Sequence, residues 1–280
     1  MKILTLNTHS LIENEYEKKL LSFAKVIQAE KPGIIALQEV NQTASLPAYP
    51  SVFLKGYQRC EGCDVVIRED NHAARLAELL RKQELSYHWT WIPVKLGYGI
   101  YDEGLALFSS KPILETQQFS TSKIQDYQNW KSRKALGIRT AHAGGSWFYC
   151  VHMGWWDDAE EPFKYQWDEI ENTLAKKGGH LWVLGDFNSP AQIRGEGYDY
   201  IESFGWKDSF VTAASKDRGN TVDKVIDGWK DKRTETDGMR IDMIWARQTE
   251  NVRSSQVICD GKNHPVVSDH YGVMILVDGE

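Results

Sequence analysis

The chain has 280 residues, 41% hydrophobic and 26% charged, with a formal net charge of −6. This is an ordinary globular composition, long enough to bury a sizeable core. Its acidic total argues against a protein that grips duplex DNA mainly by neutralising phosphates, whose usual footprint is a basic face. No stretch approaches the roughly 20 apolar residues of a membrane span, so no membrane partner is expected. The opening MKILTLNTHS carries too short an apolar run for a secretory signal, and we expect a cytoplasmic protein. Cys60 and Cys63 form a C-x-x-C, but no second pair follows at zinc-ribbon spacing. For these two, reduced cytosolic thiols in a loop are favoured over metal or redox use; the other cysteines are Cys150 and Cys259.

In chain order, ILTLN (3–7) reads as a first strand ending on a polar residue. Residues 15–30 carry Leu20, Leu21, Ala24, Val26 and Ile27 among Lys and Glu, an amphipathic helix stopped by Pro32 and Gly33. IIALQEV (34–40) is a second, buried strand, and strand–helix–strand implies a layered α/β domain. Residues 72–85 suit a helix, then GLALFSS (104–110), GIRTAHA (137–143) and SWFYCVHM (146–153) suit strands. A helix over about 160–177 precedes HLWVLGDFN, and a short helix near 195–203 leads into loops to 240. IDMIWA (241–246) and YGVMILV (271–277) complete the strands. No linker or repeat interrupts the pattern, so one domain over 1–280 is expected; nothing in it specifies an oligomeric state.

The run HLWVLGDFNSPA stops on Asp186 and Asn188, two residues apart and so on the same side of an extended chain. Either alone is an ordinary turn or cap residue. Asn7, Gln38, Glu39, His152, Asp242, Asp269 and His270, however, also sit at strand ends. Strand ends are where α/β proteins build their sites. Carboxylate and amide oxygens without cysteine favour a hard cation such as Mg²⁺ over Zn²⁺. Histidines beside acids move protons and stabilise developing charge. Together these groups suit hydrolysis of a phosphate ester.

The motifs LTLNT (4–8), ALQEV (36–40), DEGLALFSSKPI (102–113), VHMG (151–154), GDFNSP (185–190), RIDMIW (240–245) and SDHYGV (268–273) stand in one order along the whole chain. In that order the sequence resembles the endonuclease/exonuclease/phosphatase superfamily. The resemblance implies a four-layered α/β sandwich, two mixed sheets packed face to face with flanking helices, and a phosphoesterase using Mg²⁺, with Mn²⁺ as the alternative. It implies Glu39 as principal metal ligand with Asn7 and Asp269 close by. Asp186 would activate water, Asn188 bind the phosphoryl group, and His270, paired with Asp242, stabilise the transition state. His152 would contact a phosphate oxygen, oriented by Glu103. Arg133 stands about where relatives keep a phosphate-binding arginine, although Lys131 and Lys134 are equally placed by sequence.

Nuclease, secreted sphingomyelinase and small-molecule phosphatase compete for the substrate. The acidic chain lacks an obvious Lys/Arg arm for a nuclease, and it shows neither a signal peptide nor an apolar hairpin for a sphingomyelinase. A small-molecule phosphatase needs only a pocket. The stretch GWWDDAEEPFKYQW after His152 interleaves aromatics with acids, which suits a sugar: rings stack while acids accept hydroxyl hydrogens. Trp155 and Trp156 are assigned to the pocket and Trp167 to the core, with Tyr98 and Tyr101 as further rim candidates. MKILTLNTHS and HMGWWDD…F…QW are together similar to the cytosolic maltose 6'-phosphate phosphatases of the superfamily. That likeness implies a sugar phosphate as small-molecule partner and argues against nucleic acid.

Overall fold

The computed structural model describes residues 1–224, 226, 229 and 238–278. Of the loops expected before 240, positions 225, 227–228 and 230–237 lie outside the described residues. In chain order the elements are β1 (Lys2–Asn7), α1 (Tyr16–Glu30), β2 (Ile34–Thr43), α2 (His72–Lys82), β3 (His88–Gly97), β4 (Tyr101–Ser109), β5 (Ile113–Ser120) and β6 (Lys134–Thr140). They continue with β7 (Trp147–His152), α3 (Phe163–Leu174), β8 (Leu181–Asp186), α4 (Gly197–Ser203), β9 (Lys207–Asp208), α5 (Ser209–Thr212), β10 (Ser215–Lys216), β11 (Asp242–Ala246), β12 (Val252–Ile258) and β13 (Gly272–Val277). No described helix is long and apolar enough to cross a membrane.

The strands form two mixed sheets, ordered β10-β12-β13-β1-β2-β4-β3 and β5-β6-β7-β8-β11-β9. Alternation along each strand sends one set of side chains inward and the other outward. Ile3, Ile34, Ala36, Leu105 and Leu107 of the first sheet meet Leu136, Ile138, Phe148, Leu184 and Ile244 of the second in a shared core. Leu4, Leu6, Ile35 and Leu37 point the other way, onto Leu20, Phe23 and Ile27 of α1 and Leu76 and Leu80 of α2. On the far side Tyr149, Val183 and Trp245 pack against Phe163, Trp167 and Ile170 of α3 and Ile201 of α4. The result is the four-layered α/β sandwich, helix–sheet–sheet–helix. Trp167 is fully buried, and Cys60 and Cys63 are free thiols in the inter-sheet core.

Three long strands were not expected. β3 contains Pro93, which reads against a strand, but β3 is an edge strand and its pairing with β4 shifts register between Pro93 and Lys95. β5 is also an edge strand, solvated over most of its length, and β12 is half polar. α2 and α3 are shorter than expected, α3 because Pro162 stands immediately before its first turn.

Candidate active site

The second sheet sets three polar strand ends side by side. Parallel pairing of β7 with β8 puts His152 opposite Asp186, and antiparallel pairing of β11 puts Asp242 opposite the same aspartate. β7 approaches this closely because Gly185 has no side chain. A Cβ there would lie 1.9 Å from the Val151 carbonyl oxygen, at a φ of +149°. From the first sheet, β1 delivers Asn7, and a register shift between Leu37 and Val40 of β2 leaves Glu39 at a positive φ of 51°. The Asn7 amide donates to Glu39 Oε1 at 2.8 Å and to Asp186 Oδ2 at 3.1 Å, tying one sheet to the other.

Asp186 is buried and its Oδ1 accepts the Asn188 backbone N–H at 2.8 Å. Its Oδ2 stands 3.6 Å from His152 Nε2 and 3.8 Å from His270 Nε2. Burial, reinforced by the neighbouring Asp242 charge, pushes the Asp186 pKa up to about 7. His270 Nδ1 meets Asp242 Oδ2 at 2.9 Å. Burial alone would lower the His270 pKa, but Asp242 and then Asp186 overcome it and push it up to about 10. His152 goes the other way: burial, with Arg133, Lys95 and His270 around it, holds it well below the usual histidine range. Their surroundings thus bias the two imidazoles in opposite directions, His270 toward the protonated form and His152 toward the neutral one. Asn188 sits at φ 45°, with its Nδ2 donating to the Met153 carbonyl and its Oδ1 accepting from Trp229 Nε1 at 2.9 Å.

Glu39 forms no ion pair with a described cation. Burial, followed by the Glu103 and Asp269 charges, raises its pKa. A carboxylate in that state, with an amide oxygen on Asn7 and a second carboxylate on Asp269 nearby, fits a divalent cation bound through oxygen. Asp269 acts on this centre by charge and lies 3.9 Å from His9 Nδ1, while His9 binds Glu13 at 2.9 Å. Among the described residues a second close group is Asp186, Asp242 and His270, all buried.

These side chains open onto a cavity of about 300 Å³. Its walls include Glu39, Glu103, His152, Asp186, Asn188, His270 and Arg133, and Tyr98, Trp130, Trp155 and Ile226 form an apolar rim. Of the three basic residues left open by sequence, Arg133 reaches the cavity. Lys131 pairs with Asp158 and Glu160, and Lys134 begins β6, where burial lowers its pKa.

Four expectations are corrected. Trp156 does not line the cavity; it packs on Phe163 and Tyr200, because the turn after Trp155 points successive side chains apart. Tyr101 is held at the start of β4 between Thr43 of β2 and Gly97 of β3, and Tyr98 at the hairpin tip lines the cavity instead. Glu103 pairs with Lys95 at 3.0 Å rather than hydrogen-bonding His152. The acids after Trp155 are engaged in structure: Asp158 and Glu160 bind Lys131, and Glu161 accepts the Lys123 backbone N–H. Sequence reasoning also missed Lys95, Trp130 and Ile226. A lone lysine inside WIPVKLG was the available signal for the first. Trp130 faces Trp155 edge-on at 5.7 Å, a pairing between two loops that no local pattern encodes.

The sequence profile described as Endonuclease/Exonuclease/phosphatase family matches residues 4–270. No curated protein matches the chain significantly. Among solved structures, an endonuclease/exonuclease/phosphatase family protein from Leptotrichia buccalis C-1013-b is 30% identical, with 99% of each chain covered and a TM-score of 0.85. A mannosyl-6-phosphatase, Bt3783, from Bacteroides thetaiotaomicron VPI-5482 is 17% identical over 99% of each chain, with a TM-score of 0.66. TDP2 from Caenorhabditis elegans is 14% identical over 99% of this chain and 74% of that one, at 0.62. With the profile spanning β1 to His270 and the Leptotrichia protein alike from end to end, the chain belongs to the Endonuclease/Exonuclease/phosphatase family.

Proposed function

We propose that the protein is a Mg²⁺-dependent phosphomonoesterase acting on a sugar phosphate, with maltose 6'-phosphate as the substrate to test first. Enzymes of the family are in general divalent-metal-dependent hydrolases. The observation that carries the reading is the cavity itself: a floor of acids, histidines and Arg133 under a rim of Tyr98, Trp130 and Trp155. At about 300 Å³ it is at the small end of ligand pockets, suited to a phosphate and an adjoining ring. The aromatic faces offer stacking to a sugar. The name of the Bacteroides relative, a mannosyl-6-phosphatase, points the same way.

In this reading Glu39, Asn7 and Asp269 would hold the cation, which would supply Lewis-acid chemistry when bound. Asp186, near neutrality in pKa, takes the proton of the attacking water, and the Asn188 backbone N–H keeps its carboxylate aimed. Asn188 Nδ2, neutral His152 and Arg133 hold phosphoryl oxygens. Cationic His270, fixed by Asp242, stabilises the charge that builds in the transition state. Four free thiols suit a cytoplasmic setting.

A phosphate-release screen over sugar phosphates, nucleotides, inositol phosphates and phospholipids, run with and without chelator, tests this. Sugar phosphates should turn over fastest, and chelator should abolish release. Plasmid nicking in Mg²⁺ at a matching rate would favour the nuclease alternative, and chelator-resistant turnover would remove the metal.

A further inference from the structure

Lys95 is a charged cavity residue that the expected site does not account for. It lies on β3, is 8% exposed, and reaches the cavity from the first sheet. Arg133, 4% exposed, reaches it from the start of β6 in the second. Glu103 fixes the lysine at 3.0 Å, in space left by Gly97, where a Cβ would lie 2.7 Å from Glu103 Oε2. One of the three ammonium hydrogens is thereby used and two remain. Arg133 spends Nη1 on the Trp130 and Ser132 carbonyls, while its Nε is buried without a partner. Two buried cations share this end of the cavity, and Glu103 directly partners only one. Burial, and after it the Arg133 charge, lowers the Lys95 pKa against the pull of Glu103. Like charges buried together are stabilised by an anion between them.

We propose that Lys95 and Arg133 form a two-cation subsite for the non-bridging oxygens of a terminal phosphate, and that this subsite selects phosphomonoesters over diesters. The inference rests on the phosphomonoesterase reading and extends it. A terminal phosphate presents three non-bridging oxygens and, with a second pKa of about 6, close to two charges at neutral pH. A diester presents two oxygens and one charge, and its second arm needs an exit. Lys95, Glu103 and Arg133 are all buried, so a second arm at this end of the cavity would lie against buried charge rather than in solvent. The ammonium recognises the extra charge as a point cation, and the guanidinium adds directional donors.

The test compares kcat/KM for 4-nitrophenyl phosphate and bis(4-nitrophenyl) phosphate in the wild type, Lys95→Met, Lys95→Arg and the double variant Lys95→Met/Glu103→Gln. The double variant removes the ion pair without leaving a buried unpaired carboxylate. Loss of a charge-assisted contact should lower the monoester-to-diester ratio about 30-fold in both methionine variants, and Lys95→Arg should restore most of it. The competitive inhibition constant for inorganic phosphate should rise in parallel. A ratio within about threefold of wild type in the double variant overturns the subsite, because it would confine Lys95 to neutralising Glu103. A wild-type enzyme that prefers the diester overturns the phosphomonoesterase reading itself, a separate result.

Discussion

Asp186 receives hydrogen bonds from Asn7 and Asn188 and stands between two histidines of opposite protonation preference. Its burial makes the carboxylate basic enough to take a proton near neutral pH. Asp186→Asn keeps the size and an oxygen for the Asn7 amide but cannot accept that proton. We expect kcat to fall about 10³-fold in a variant that still folds and unfolds cooperatively, as for loss of a general base. Turnover near the wild-type rate would remove Asp186 from that role. That these residues converge was legible in the sequence for Asn7, Asp186 and Asp242, which stand at strand ends; Glu39 instead sits inside β2 at its register shift, and His270 lies just before β13. Partnership was not: Glu103 and Lys95 meet across a β3–β4 register shift, and the choice of Arg133 over Lys131 depends on Asp158 drawing the lysine away.

Strands were legible where burial on both faces gives continuous apolar runs, as in β1, β2, β7 and β8. They were illegible at the sheet margins, where β5 and β12 alternate weakly and β3 carries a proline. The same logic locates a vulnerable element. β7 and β8 pair at Val151 and Gly185, and the separation of His152 from Asp186 follows from that pairing one residue later. Gly185→Ala would drive a methyl into the Val151 carbonyl. It should cost about 2–3 kcal/mol in urea unfolding and reduce activity beyond what the stability loss explains. A variant as stable and active as wild type would show that the strands can separate freely there. The aromatic rim belongs to another level. Trp130 and Trp155 sit on loops joined by Lys131–Asp158 and by Glu161 with Lys123, long-range contacts that local patterning does not carry.

At the scale of the molecule, the site lies between two sheets that each have their own helical layer. The Asp186 pKa, raised from 3.8 to about 7, contributes stability below pH 3.8 that is lost as pH rises through 7, because the unfolded chain gives up the proton first. Glu39 shifts in the same direction. A bound divalent cation offsets this loss and competes with those protons. Thermal melting in chelator and in Mg²⁺ should therefore show a larger gain from Mg²⁺ at pH 8 than at pH 5. Equal gains would separate the cation from these carboxylates.

One amide nitrogen, on Asn7, has its two hydrogens turned toward acids on different sheets. It works as a caliper, setting how far Glu39 stands from Asp186. The rim loops hang outside that span, so the taste of the pocket can drift through changes at Tyr98, Trp130 or Trp155 while the gap between the two acids stays the same.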